Sequence, residues 1–125
     1  MDSTLKPIII SKLEAICQAI DIISRRSNAY TDVNVMISDF IGSMVFDSIV
    51  LRLQTIGENI KSIDDRTKGE LLSMYPEIPW HHYIGLRNIL AHQYENVDPE
   101  IVWSVVTSHL DALKETVMQI KCDLS

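Results

Sequence analysis

The chain is short of the residues that staple, break or anchor a fold. Its 125 residues include two cysteines, four glycines and four prolines. Cys17 and Cys122 lie far apart and form no CxxC pair. That excludes a dense disulfide framework and predicts two reduced, buried thiols in a cytosolic protein. No uninterrupted apolar run approaches the ~20 residues of a membrane-spanning helix. Met1-Asp2-Ser3-Thr4 carries no basic region, and no apolar stretch with a cleavage site follows, so no secretory signal is expected. The chain is accordingly expected to be cytoplasmic, with no membrane partner. Positive charge is also scarce. Eleven Lys and Arg stand against 17 Asp and Glu, for a net charge of −6 and a pI near 5.0. This excludes a protein that coats nucleic acid by bulk electrostatics. A small local basic site, or one assembled from two subunits, stays open.

What is present reads as helix. Apolar residues make up 46% and charged residues 22%, the composition of a globular chain. Domains cluster near ~100–150 residues, so residues 1–125 are expected to form one. Ile9, Leu13, Ile16, Ile20 and Ile23 step by four and three and predict a first helix from Lys6 or Pro7 to about Arg26. Asn28 to Asp32 reads as a connection. Phe46, Ile49, Leu53, Ile56, Ile60 and Ile63 predict a long second helix from about Asp39 to Ile63. It contains Gly42 and Gly57, each costing about 1 kcal/mol against alanine, so close helix packing or a bend is expected there. Asp64-Asp65 can cap a short third helix through Lys68 to Met74. Pro79 can open a fourth that ends near His92. Asp98-Pro99-Glu100 is a strong helix start, and Trp103, Val106, Leu110, Leu113, Val117 and Ile120 predict one last helix. The expectation is an all-α, antiparallel up-and-down bundle of four to five helices.

One segment carries chemistry: Arg87-Asn88-Ile89-Leu90-Ala91-His92-Gln93-Tyr94. On a continuous helix His92 lies about 140° around from Arg87, whereas Arg87 and Tyr94 share a face. A helix ending near His92 relaxes that geometry and lets the three side chains converge. Such a set suits cleavage of an RNA phosphodiester. Imidazole titrates near neutrality, so His92 can accept a proton from a ribose 2′-hydroxyl or give one to the leaving oxygen. The Arg87 fork matches a phosphate and the charge that grows on it. Asn88 can orient either. The internal 2′-hydroxyl nucleophile removes the need for a metal or other cofactor.

The flanks make the pattern specific. Leu51-Arg52-Leu53-Gln54-Thr55-Ile56-Gly57-Glu58-Asn59 lies upstream, Tyr75-Pro76-Glu77-Ile78-Pro79-Trp80 precedes the segment, and Val97-Asp98-Pro99-Glu100-Ile101-Val102-Trp103 follows it. This ordered set resembles the HepT-like branch of the HEPN domain family from about Asp39 onward. The family pattern Arg-x4-His-x-Tyr falls on Arg87, His92 and Tyr94, with the common polar residue at Asn88. The resemblance implies a single HEPN-like bundle, commonly a homodimer whose paired motifs line one cleft, and a metal-independent RNA endonuclease. It implies the toxin of a type II or type VII-like toxin–antitoxin pair. The partner would be a nucleotidyltransferase-type antitoxin that silences the toxin by attaching AMP to Tyr94. The sequence departs from the family at His81-His82 and at Asn59, outside the motif.

Blander readings stand beside these. His81, His82 and His92 lack the carboxylate or thiolate spacing of a metal site. Trp80 and Trp103 read as core, with base stacking the alternative. Arg52 and Glu58, six apart, read as a structural ion pair across the bundle before catalysis. His109 reads as surface or packed. A second functional class is a non-catalytic helical module that binds and regulates a nucleotidyltransferase, with Arg87 and His92 on its nucleotide. A third is a scaffold without a site.

Overall fold

In the computed structural model, which describes residues 1–125, the 3-4 spacing of apolar residues becomes seven α-helices and one 3₁₀ turn, with no strand. Helix α1 (Leu5–Ser27) takes Pro7 inside its first turn, where a missing N–H costs little. Its five stripe residues are all buried to 1% exposure or less. A single turn, α2 (Val33–Met36), follows the connection, with Asp32 accepting from the Asn34 N–H at 2.8 Å. The long helix α3 (Phe40–Arg66) starts where Asp39 accepts from the Gly42 N–H at 2.7 Å and buries every stripe residue from Phe46 to Ile63.

The end of α3 corrects the expected third helix. Asp64 and Asp65 do not cap it; they lie in the last turn of α3. Their carbonyls accept from the N–H groups of Gly69 at 2.8 Å and Lys68 at 3.3 Å, the closing bonds of a Schellman end. Lys68 (φ 54°) and Gly69 (φ 74°) supply the left-handed backbone that this end needs. Only the turn α4 (Glu70–Ser73) remains of that helix.

Helix α5 (Trp80–His92) begins just after Pro79 and runs into the 3₁₀ turn Tyr94–Asn96. The expected last helix is two, α6 (Pro99–Ser108) and α7 (Leu110–Leu124), broken at His109 (φ −125°). The halves follow different partners. Helix α6 leans on α2, where the Asn34 side chain donates to Glu100 at 2.9 Å. Helix α7 lies on α1 through Lys114–Asp21 at 2.6 Å and Lys121–Glu14 at 3.2 Å. These pairs run α7 antiparallel to α1. The start signal is as expected: Asp98 accepts from the Glu100 N–H at 2.9 Å.

Helix α3 is the hub, packed between α1 and α5, and one core of 26 buried apolar residues joins the elements. By length and composition alone α3 is apolar enough to cross a membrane, with a mean hydropathy of 1.2 over its best 18 residues. Its apolar stripe is instead the seam of the bundle. The thiols also depart from expectation. Cys17 is half-buried, with its pKa raised first by that burial, whereas Cys122 is exposed. Both line one surface groove between α1 and α7.

Candidate active site

The motif helix is set by its packing on α3. Trp80, Tyr83 and Leu90 are the buried residues of α5. Trp80 is core, as expected, and its indole N–H donates to the Tyr75 carbonyl at 2.9 Å. Trp103 is partly buried against the same core. Opposite α5 stands Gly57. A Cβ on it would lie 2.3 Å from Arg87 Cβ and 2.8 Å from the Tyr83 carbonyl oxygen. The missing side chain thus brings the two helices together at the turn that carries Arg87. Close packing is the reason for this glycine.

Arg87 emerges from that contact with its side chain 29% exposed. Its Nη2 donates to Glu58 Oε1 at 3.4 Å and its Nη1 to Asn88 Oδ1 at 3.1 Å. Its Nε is buried without a partner. The head group opens onto a groove of about 460 Å³ lined by Glu58, Lys61, Ser62, Asp65, Arg66 and Arg87. Lys61 pairs with Asp65 at 2.7 Å, and Arg66 Nε donates to Ser62 Oγ at 3.2 Å. Three cations and two carboxylates in one polar groove are suited to a phosphate chain rather than to an apolar ligand.

His92 is the last residue of α5 and is exposed. The helix stays regular through it, so it lies about 140° around and roughly 7.5 Å along from Arg87. Tyr94 opens the 3₁₀ turn, and its hydroxyl donates to Asp47 of α3. Burial, then the bond to Asp47, pushes the phenol up to about 12. Between these points the Gln54 amide donates to the Leu90 carbonyl at 3.4 Å. Within one chain, therefore, the motif side chains do not converge. Arg87 and Asn88 touch each other, but Arg87 and Tyr94 are drawn to Glu58 and Asp47, eleven residues or about 16 Å apart along α3.

Of the two residues read as a structural ion pair, Glu58 pairs across the bundle and Arg52 does not. Glu58 serves Arg87, and Arg52 Nε is buried without a partner. The sequence reading missed Asp47, Gln54, Lys61 and Arg66. Asp47 and Glu58 sit three helical turns apart on one outer stripe of α3, and the rest of that stripe is the exposed Phe40, Met44 and Leu51, with Thr55. Two carboxylates interrupting an apolar stripe were the available signal. His81 and His82 are exposed, His109 is exposed at the α6–α7 break, and no three His, Cys, Asp or Glu side chains gather as a metal site.

Residues 13–120 match a protein family described as "Ribonuclease HepT-like". The chain is 30% identical over 112 residues to a Methanocaldococcus jannaschii protein named "Gamma-glutamylcyclotransferase and putative RNase", covering 90% of this chain and 47% of that one. It spans, then, about half the length of that relative. It is 31% identical over 81 residues to a "Putative RNase" of the same organism, covering 64% of this chain and 71% of that one. It is 31% identical over 103 residues to a "Probable ribonuclease HepT" of Thermococcus cleftensis, covering 82% and 86% respectively. No solved structure matches the chain.

Proposed function

The chain belongs to the HepT-like ribonuclease family, and from that premise we propose that it is an RNA endonuclease acting as the toxin of a toxin–antitoxin pair. One observation carries the reading. Gly57 clamps Arg87 onto α3 with its head at a polar groove, while His92 stands free at the end of the same helix.

In this reading the RNA backbone enters the groove and Arg87 grips a phosphate, shifting its donors from Glu58 to the phosphate oxygens. The ribose 2′-oxygen bonds to the adjacent phosphorus and the bond to the 5′-oxygen breaks. The 2′-hydroxyl gives up a proton and the leaving 5′-oxygen gains one, and His92 performs one of these transfers. The products are a 2′,3′-cyclic phosphate and a 5′-hydroxyl end. The guanidinium neutralises charge that grows on the phosphoryl oxygens, and Asn88 orients it. Because the nucleophile belongs to the substrate, no metal or cofactor is required.

Arg87 and His92 diverge around one helix, which favours a homodimer in which two motifs share a cleft. The exposed Phe40, Met44 and Leu51 beside the motif offer the apolar surface for it. Two Arg87 facing one cleft also answer the net charge of −6. A nucleotidyltransferase antitoxin would silence the toxin by adding AMP to Tyr94, whose hydroxyl lies at the surface end of the motif.

The test is cleavage of a mixed RNA by the purified chain in excess EDTA, with Arg87→Ala and His92→Ala in parallel. Wild type should cut and leave cyclic phosphate ends. His92→Ala should lose about 10²–10⁴-fold, the range of acid–base catalysis, without loss of helix content. Equal cleavage by the variant, or cleavage abolished by EDTA, refutes the mechanism. The Arg87–Glu58 pair is the observation that favours the non-catalytic module. That module predicts no cleavage by wild type and harmless expression.

A further inference from the structure

The turn that follows His92 has little to hold it. None of the residues Tyr94–Asn96 is buried. Its backbone bonds are local: Gln93 N–H to the Ile89 carbonyl at 2.7 Å, Asn96 N–H to Gln93 at 2.9 Å and Val97 N–H to Tyr94 at 3.2 Å. None of these reaches α3. The hydrogen bond from Tyr94 to Asp47 does. Asp47 itself is out of place by composition. It is an exposed carboxylate between the exposed Met44 and Leu51 on the outer stripe of α3, and no cation pairs with it. Its one side-chain partner is the Tyr94 hydroxyl.

We propose that Asp47 is a positioning residue of the site: it ties Tyr94, and with it the turn that follows His92, to α3, and it is the contact through which a modification of Tyr94 is felt. The proposal rests on the ribonuclease reading above. His92 closes α5 two residues before the tie and has no partner of its own among the structure's side-chain hydrogen bonds, so the turn beside it sets the room its imidazole has against a substrate phosphate. Transfer of AMP from ATP would form a bond between Tyr94 Oη and the α-phosphorus. The bond from that phosphorus to the pyrophosphate oxygen breaks, pyrophosphate leaves, and the phenolic proton passes to solvent. The hydroxyl that donated to Asp47 is then an ester oxygen with no hydrogen, and it carries a phosphodiester anion beside the carboxylate. Attraction becomes like-charge repulsion. The tie is replaced by a wedge, and the turn shifts beside His92 at the end of α5. Silencing would thus need no direct block of the groove at Arg87.

The experiment compares Asp47→Ala, Tyr94→Phe, their double variant and Asp47→Asn in the full chain. RNA cleavage is read as kcat and KM, and backbone amide exchange is followed by NMR. Each single loss should lower kcat about tenfold with KM within twofold, because the phosphate grip at Arg87 is untouched. The double variant should lose no more than either single. Asp47→Asn keeps an acceptor oxygen and should recover most of the rate. The amides of Gln93, Asn96 and Val97 should exchange about tenfold faster in Asp47→Ala, with those of α1 unchanged. Additive losses, a failed Asn rescue, or unchanged exchange at these three amides overturns the proposal. A wild-type chain that cuts no RNA removes the ribonuclease reading instead, and the exchange rates then decide the tie alone.

Discussion

Gly57→Ala isolates what the α3–α5 contact does. In most exposed helix positions this change stabilises by about 1 kcal/mol, since glycine is the poorer helix former. Here the new methyl would meet Arg87 Cβ at 2.3 Å, the Tyr83 carbonyl oxygen at 2.8 Å and Arg87 Cγ at 3.1 Å. Carbon atoms rest at about 3.5–4.0 Å, so α5 must retreat by more than 1 Å. Neither a Cβ nor a backbone carbonyl can swing aside as a side-chain tip can. Overpacking of this kind costs roughly 1–3 kcal/mol, which outweighs the propensity gain. The expected net loss is on the order of 1–2 kcal/mol, or roughly 5 °C in Tm for a domain of this size. Arg87 moves with its helix, and a 1 Å misplacement costs about 10² in rate. Gly85, on α5 itself, is the control. A Cβ there meets no atom within 4 Å, so Gly85→Ala should raise stability by up to about 1 kcal/mol. Thermal melts by circular dichroism and a fluorogenic RNA cleavage assay read both variants. If Gly57→Ala melts at or above wild type and cleaves normally, close packing is not what positions Arg87.

Three further outcomes follow from single residues. Ile56 is fully buried in the core, and Ile56→Ala should cost about 2–5 kcal/mol in urea unfolding; a loss below 1 kcal/mol would mean the core is loosely packed around α3. Tyr83 is pushed up to about 12 by burial. The folded state therefore favours the neutral phenol, and stability from this group is complete below about pH 10 and falls as pH rises toward 12. Tyr83→Phe should blunt that alkaline loss in melts taken at pH 8 and pH 11, and an identical loss in both proteins would refute the assignment. Glu58 is half-exposed against Arg87 at 3.4 Å, so Glu58→Gln should change stability by less than about 0.5 kcal/mol. It should tighten RNA binding at low salt, measured by fluorescence anisotropy, because a neutral amide competes less for the guanidinium; weaker binding would make Glu58 a necessary orienter.

The fold was legible where a signal repeats locally. The 3-4 stripes marked α1 and α3 and their buried faces, and Asp98-Pro99 marked the start of α6. Periodicity failed where tertiary partners decide. It carries no break at His109, because the stripe from Trp103 to Ile120 stays in register while the two halves lean on α2 and α1. It also misplaced Asp64-Asp65, whose acidic pair has the composition of a helix start. The backbone uses their carbonyls to end α3, and the left-handed Lys68-Gly69 decides the matter.

The motif was legible and its partners were not, for a reason of the same kind. Arg87, Asn88, His92 and Tyr94 announce themselves by spacing along one segment. Glu58 and Asp47 answer from a helix distant in sequence, and spacing says nothing about which residues face each other across two helices. That information is the register between α3 and α5, and one fact would have supplied it. Set Gly57 against Arg87, run the helices antiparallel, and each turn back along α3 is a turn forward along α5. Glu58 then falls beside Arg87 and Gln54 beside Leu90, whereas Tyr94 falls nearest Val50 and its hydroxyl reaches about one turn further along α3 to Asp47. The internal glycine, costly in a helix and unexplained by any local rule, was the register mark. Its place beside Glu58, with Asp47 three turns away on the same stripe, carries both holds on the motif.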